Sequence, residues 1–182
     1  MPHECTTSYL KDSLSLFAYY KKLGERAMEQ VSDQHLFEVL DEEMNSIAVI
    51  VKHMAGNMRS RWTDFLSSDG EKPDRNRDTE FVDPPNTREG VMKLWEKGWD
   101  CVFAALKPLG DTDIERRVTI RGEDHSVMQA VNRQLAHYAY HCGQIVFLAK
   151  HFQHAAWKSL SVPRNKSAEF NRRVLSKELS QR

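Results

Sequence analysis

Residues 126–154 read SVMQAVNRQLAHYAYHCGQIVFLAKHFQH, and this stretch decides the fold. Val131, Leu135, Tyr138, Cys142, Ile145, Val146 and Ala149 recur at helical spacing and form one apolar face. Ser126 and Gln129 have the separation of a capping box, which places the helix start. At 1.5 Å per residue such a helix spans roughly 40 Å, enough to run the length of a bundle. Working outward, three further stretches share the pattern. Residues 8–31 carry Leu10, Leu14, Phe17, Gly24, Ala27, Met28 and Val31 on one stripe. Residues 45–66 follow the acidic Asp41-Glu42-Glu43 with Asn45 as the predicted cap, then Ile47, Ile50, Val51, Met54, Met58 and Trp62. A third helix opens after Pro84-Pro85 with Asn86-Thr87 as cap candidates. It carries Val91, Leu94, Trp95, Gly98, Val102, Ala105 and Leu106 until Pro108 and Gly110 end it.

The connections set the topology. Residues 67–86 are polar and contain Pro73, Pro84 and Pro85, whereas bundle connections usually take about 2 to 8 residues. A crossover of this length leaves helices two and three parallel and lets helix two lie antiparallel to helix four. Before helix four, Arg117-Val118-Thr119-Ile120 alternates weakly and predicts a short strand beside Arg121-Gly122. After Pro163 a short helix is expected over residues 167–179. The expected fold class is all-α: a four-helix bundle in one domain over residues 1–182, with 157–182 as a C-terminal extension.

Composition narrows the function. The 182 residues hold 26 basic and 26 acidic side chains, so no basic surplus exists to displace counterions from a duplex, and a nucleic-acid partner is not expected. No apolar run approaches the roughly 18 residues of a membrane span, and no secretory leader is visible in residues 1–9. Cys5, Cys101 and Cys142 are odd in number and never in a CxxC, which fits a reducing, cytoplasmic setting.

The histidines carry the chemistry. His137 and His141 sit four apart, on one helix face with Cβ atoms about 5–6 Å apart, close enough for both rings to reach one ion. Alone, two such histidines are a weak metal signal. His53 lies mid-helix in the apolar run Ile47 to Met54, where a lone histidine is more often a satisfied core residue. Together they weigh more, because His137, His141, Gln144 and Leu148 trace a second inward stripe and three buried imidazoles are costly unless paired or coordinated. Zinc-type coordination at about 2.0–2.1 Å would satisfy all three. His151 lies about 15 Å along the axis from His141 and cannot share that ion. His154 belongs to the solvated helix end, His125 to the helix start, and His3 and His35 to terminal or linker sequence. Cys142, rotated about 100° from His141, reads as a small buried hydrophobe.

A mid-helix histidine in helix two, followed by His137-xxx-His141-x-Gly143-Gln144, resembles the DinB-like (DinB/YfiT) superfamily. Residues 45–66, Gly70-Glu71-Lys72-Pro73 with Arg75-Asn76-Arg77-Asp78, residues 122–127 and WKSLSVP over 157–163 are similar to its uncharacterised domain-of-unknown-function branch. The resemblance covers nearly the whole chain. It implies a four-helix bundle, often a homodimer, with a divalent metal, nickel or zinc, held by three histidines that match His53, His137 and His141. Characterised relatives include bacillithiol S-transferases and mycothiol-dependent isomerases, which makes a low-molecular-weight thiol a candidate co-substrate, although for this branch the resemblance implies no settled substrate. Where the closing segment would carry a Gly, this chain has Arg164-Asn165-Lys166, and Asn tolerates a left-handed turn.

Two functions are in play. The first is a metal-dependent enzyme acting on a small molecule by thiol transfer or hydrolysis, because three neutral ligands leave a coordination position open. Arg133, one turn before His137, and Gln144, just after His141, are its substrate-binding candidates, the alternatives being a solvated arginine and a helix-end hydrogen bond; no residue stands out as a general base. The polar crossover, with Arg75, Arg77 and Asp78, reads either as a lid or as a solvated loop. The second function is a non-catalytic bundle, metal-bound or metal-free, acting as a binding module, with Trp62, Trp95, Trp99 and Trp157 as interface candidates, although helical spacing makes core packing the stronger reading for Trp62 and Trp95. An open cavity at the ion distinguishes the enzyme; a filled bundle or four protein ligands distinguishes the module. A nucleic-acid role is suggested only by the superfamily's name.

Overall fold

The computed structural model describes residues 5–180. In chain order it contains α1 (Tyr9–Met28), a short α2 (Asp33–Phe37), α3 (Ile47–Trp62), α4 (Arg88–Leu106), strands β1 (Arg117–Ile120) and β2 (Glu123–Ser126), α5 (Val127–Gln153) and α6 (Ser167–Leu175). The chain is an all-α bundle of four long helices with a short C-terminal helix. No helix among the described residues is long and apolar enough to cross a membrane.

Hydroxyl caps start each long helix. Ser8 accepts from the Lys11 N–H and Thr87 from the Gly90 N–H. The box at α5 is reciprocal: Ser126 Oγ accepts from Gln129 N at 3.1 Å while Gln129 Oε1 accepts from Ser126 N at 2.8 Å. At α3 the cap is Ser46, which accepts from Val49 N, rather than the expected Asn45. That helix also ends at Trp62 instead of Leu66. Thr63 is extended and Asp64 takes a φ of +48°, and the turn tucks Phe65 against Trp62 with ring centroids 4.7 Å apart. Asn165 adopts a φ of +64°, the left-handed turn expected of it. Helix α6 stops at Leu175, before Lys177 turns left-handed.

Contacts give the helix directions. Gly98 faces Ala55, where an added Cβ would lie 3.0 Å from the Ala55 Cα, and Cys101 reaches Thr63, so α3 and α4 run parallel. Tyr138 meets Trp62 and Asn57 while His141 meets His53, so α3 and α5 are antiparallel. The crossover and the hairpin are bound together: Gly70 N donates to Thr119 O at 2.7 Å, and the Asp69 carboxylate accepts from the N–H groups of Glu71, Arg121 and Gly122 at 2.7–2.8 Å. Both hairpin-turn residues have positive φ, +56° at Arg121 and +76° at Gly122, which suits a tight two-residue connection.

The core is aromatic at its centre. Trp62, Trp95 and Trp99 are all buried, so none is available to an outer interface. Trp62 Nε1 donates to Tyr138 Oη at 2.9 Å, and that hydroxyl donates to Asn57 Oδ1 at 3.1 Å. This line pegs α3 to α5 in the register that the histidines need. Tyr138→Phe strands a buried indole N–H and an amide oxygen and is expected to cost about 1–3 kcal/mol in chemical denaturation; an unchanged midpoint would show that the peg carries no load.

Candidate metal centre

Because α3 and α5 are antiparallel, the mid-helix His53 faces the pair one turn apart on α5. His53 Nε2 lies 3.3 Å from His137 Nε2, and His137 Nε2 lies 3.0 Å from His141 Nε2. All three ligand atoms fall within 4.8 Å of one another. Tetrahedral ligands at zinc–nitrogen distances of about 2.0–2.1 Å would themselves be about 3.3 Å apart. Two of the three separations therefore match those of ligands to one ion, and the third lies within 4.8 Å.

Hydrogen bonds set the tautomers. His53 Nδ1 lies 2.8 Å from Glu80 Oε2, and an ionised carboxylate only accepts, so the Nδ1 carries the proton. His141 Nδ1 donates to Gln144 Oε1 at 2.8 Å, and the other end of that amide donates to Tyr140 Oη at 3.1 Å. Both rings thus turn an unprotonated Nε2 towards His137. A hydrogen from His137 can satisfy only one of them, and the His137 Nδ1 is buried without a partner. A divalent cation satisfies all three Nε2 lone pairs at once, and a carboxylate behind a ligating histidine is a usual second support. The donor set fits such an ion.

Glu80 is itself braced. Arg75, with 3% of its side chain exposed, grips it with Nε–Oε1 at 2.8 Å and Nη2–Oε2 at 2.9 Å. Burial alone would raise the Glu80 carboxyl, but hydrogen bonds from His53 and Arg75 outweigh it and hold the group below the usual carboxylate range. Gly56 makes the approach feasible: a Cβ there would sit 2.7 Å from Glu80 Cδ. Burial, then the neighbouring imidazoles, pushes His137 down to about 3. Burial also pushes His141 down to about 4, against the Gln144 hydrogen bond and with help from His53 and Arg77. Both rings are neutral, as ligands must be.

A cavity of about 550 Å³ opens onto the cluster. Besides the three histidines it is lined by Arg61, Arg75, Arg77, Arg121 and Arg133, with Asn57, Gln134, Tyr140 and Gln144 among its polar walls. Both substrate-binding candidates, Arg133 and Gln144, line it. Asn45 lines it as well, while Asp78 is exposed and does not. Among the described residues no fourth His, Cys, Asp or Glu joins the cluster.

The other histidines lie elsewhere. His35 stacks on Phe152 from α2, a short helix where linker is expected, and His125 sits in β2 with Nδ1 3.0 Å from the Glu123 carbonyl. His151 and His154 pair at the end of α5, and His3 lies outside the described residues. Cys142 is buried, its thiol pushed up to about 12 by desolvation. Sequence reasoning missed Glu80 and Gly56. The available signal was the rule that metal-binding imidazoles carry a carboxylate behind them, which directs attention to the acidic residues of the crossover.

A family model described as "Protein of unknown function (DUF1572)" matches residues 4–166. Among solved structures, a DinB-like protein from Bacillus cereus ATCC 10987 is similar with a TM-score of 0.57 at 14% identity, covering 81% of this chain and 94% of that one. That likeness gives the fold: a DinB-like bundle. No curated protein matches the chain.

In the metal-free protein, His137 and His141 stay neutral when folded, yet take up protons near pH 6.5 when unfolded. The unfolded chain then binds more protons, so stability declines as pH falls from about 6.5 towards 4. Thermal melts of metal-stripped protein should show that decline, and His137→Gln should flatten it; a Tm rising towards acid contradicts buried neutral rings.

Proposed function

The chain belongs to the DUF1572 family of proteins of unknown function, and we propose that His53, His137 and His141 hold a divalent cation, nickel or zinc, in a metal-dependent enzyme. The observation that carries this reading is the convergence of three Nε2 atoms, 3.0 and 3.3 Å apart in succession, beside a cavity of about 550 Å³. An ion held by three neutral imidazoles supplies Lewis acidity towards water or a thiol and keeps a position for substrate. The reaction class is transfer of a low-molecular-weight thiol to an electrophile, or hydrolysis.

The chain's own residues supply the rest. Glu80 and Gln144 fix the proton on the Nδ1 of His53 and His141, which aims each Nε2 inwards. Arg75 holds Glu80 in place, and His53 stacks on Phe81 with centroids 4.7 Å apart, which keeps the ring from turning. Arg133 and Gln144 orient the substrate from the α5 wall. The free thiols of Cys5, Cys101 and Cys142 fit a reducing, cytoplasmic setting. A non-catalytic module is less well supported, because it calls for a filled bundle or a fourth protein ligand.

Elemental analysis after loading with nickel or zinc is expected to find about one ion per chain, and none in His137→Ala. Metal binding in that variant equal to wild type would overturn the assignment. Gly56→Ala should displace Glu80 and weaken metal affinity by about 10- to 100-fold with the three histidines intact; competition with a metal-binding dye reads that change. Loaded protein should consume cysteine, bacillithiol or mycothiol in the presence of an electrophile, or hydrolyse an activated ester. Silence in every such assay moves the reading to the binding module.

A further inference from the structure

The cavity beside the histidines has an electrostatic signature that metal binding does not explain. Five guanidiniums line it, those of Arg61, Arg75, Arg77, Arg121 and Arg133, and no carboxylate does. Two carboxylates lie behind this wall: Glu71, shared by Arg61, Arg75 and Arg121, and Glu80, held by Arg75 and His53. Arg77 packs over the Phe81 ring, 4.9 Å from its centroid, and neither it nor Arg133 has a carboxylate partner among the described residues. With Asp69, which accepts from the Arg121 backbone and faces Arg61, counted as a third carboxylate, two positive charges are left in surplus before any cation is added. The chain as a whole is neutral, so this surplus is concentrated locally.

A second observation is independent of the charge. Gln134 is 3% exposed and lines the same cavity, yet its Oε1 is buried with no hydrogen-bond partner. A buried acceptor left unpaired is costly, and one facing a cavity is satisfied by a donor that enters it. Guanidiniums around one concave space match the paired oxygens of carboxylate and phosphate groups. A duplex-binding surface would instead spread its charge along an outer face.

We propose that this cavity binds a small, multiply charged oxyanion, its carboxylate or phosphate group held by Arg77 and Arg133 and a ligand N–H or O–H received by Gln134. The proposal rests on the metal-centre reading for the ligand's reacting end, which lies at the histidines; the anion-holding wall stands on its own residues.

The test is calorimetric titration of the full chain, metal-free and zinc-loaded, with inorganic phosphate, phenyl phosphate and citrate at constant ionic strength set by sodium chloride. Saturable binding of at least one probe at one site per chain is expected. Arg77→Gln combined with Arg133→Gln, two exposed positions, should weaken it about 10- to 100-fold while zinc content stays at the wild-type level. Preference for phenyl phosphate supports an esterified phosphate as the source, and preference for citrate supports a polycarboxylate. Equal affinity in the double variant, or no saturable binding of any probe, overturns the proposal. Binding that appears only after zinc loading and ignores both substitutions assigns the anion to the ion alone and overturns it too. Loss of zinc uptake with phosphate binding intact overturns the metal reading instead, so the two failures are distinguishable.

Discussion

Three imidazole nitrogens within 4.8 Å of one another are the constraint on which the rest of this structure turns. Two of the rings point their Nδ1–H groups at outward acceptors, His53 at Glu80 and His141 at Gln144. Their remaining lone pairs converge on the third ring, which has one proton to offer and a buried Nδ1 with no partner. Such a cluster repels itself in a low-dielectric core unless positive charge enters it. The bundle holds it regardless, because its register is set elsewhere. The Trp62–Tyr138–Asn57 hydrogen-bond line fixes α3 against α5, and Trp99 of α4 packs on the same tyrosine ring.

The second support comes from outside the bundle. The crossover delivers Glu80 and Arg75 to the far side of His53, and a missing side chain at Gly56 leaves room for the carboxylate. Lys52 holds the end of this segment through the Val82 and Asp83 carbonyls. The long connection is thus part of the site rather than a solvated loop, since Arg75 is nearly inaccessible and paired at both of its neighbouring carboxylates.

Much of this was legible in the sequence, for physical reasons that differ from element to element. Helix α5 was plain because a capping box opens it and its apolar period persists over 27 residues. His53 taken alone reads as a core residue; it gains weight only beside the inward stripe of His137 and His141 and through the family resemblance, with an antiparallel crossing allowing the helices to be neighbours. The caps show the limits: Asn45 and Ser46 are adjacent and chemically alike, and only the backbone turn decides between them. Strand β1 could be read from its alternation, but β2 has the sequence Glu-Asp-His-Ser and buries none of its side chains, so no pattern marks it. Glu80 was hidden for a different reason. It is one acidic residue in a polar segment, and its distinction is a spatial relation to Gly56 and Arg75 that no local period records.

The tether at Asp69 gives the cavity two walls of unequal freedom. One carboxylate gathers the backbone of the crossover and of the hairpin turn, so Arg75 and Arg121 are carried on segments anchored at a common point and share Glu71. A change on that side propagates through a fused scaffold. Arg133 instead projects, exposed, from a regular helix and has no carboxylate partner among the described residues. A substitution at Arg133 therefore alters the lining of the cavity locally, whereas one at Asp69 or Glu71 disturbs crossover and hairpin together.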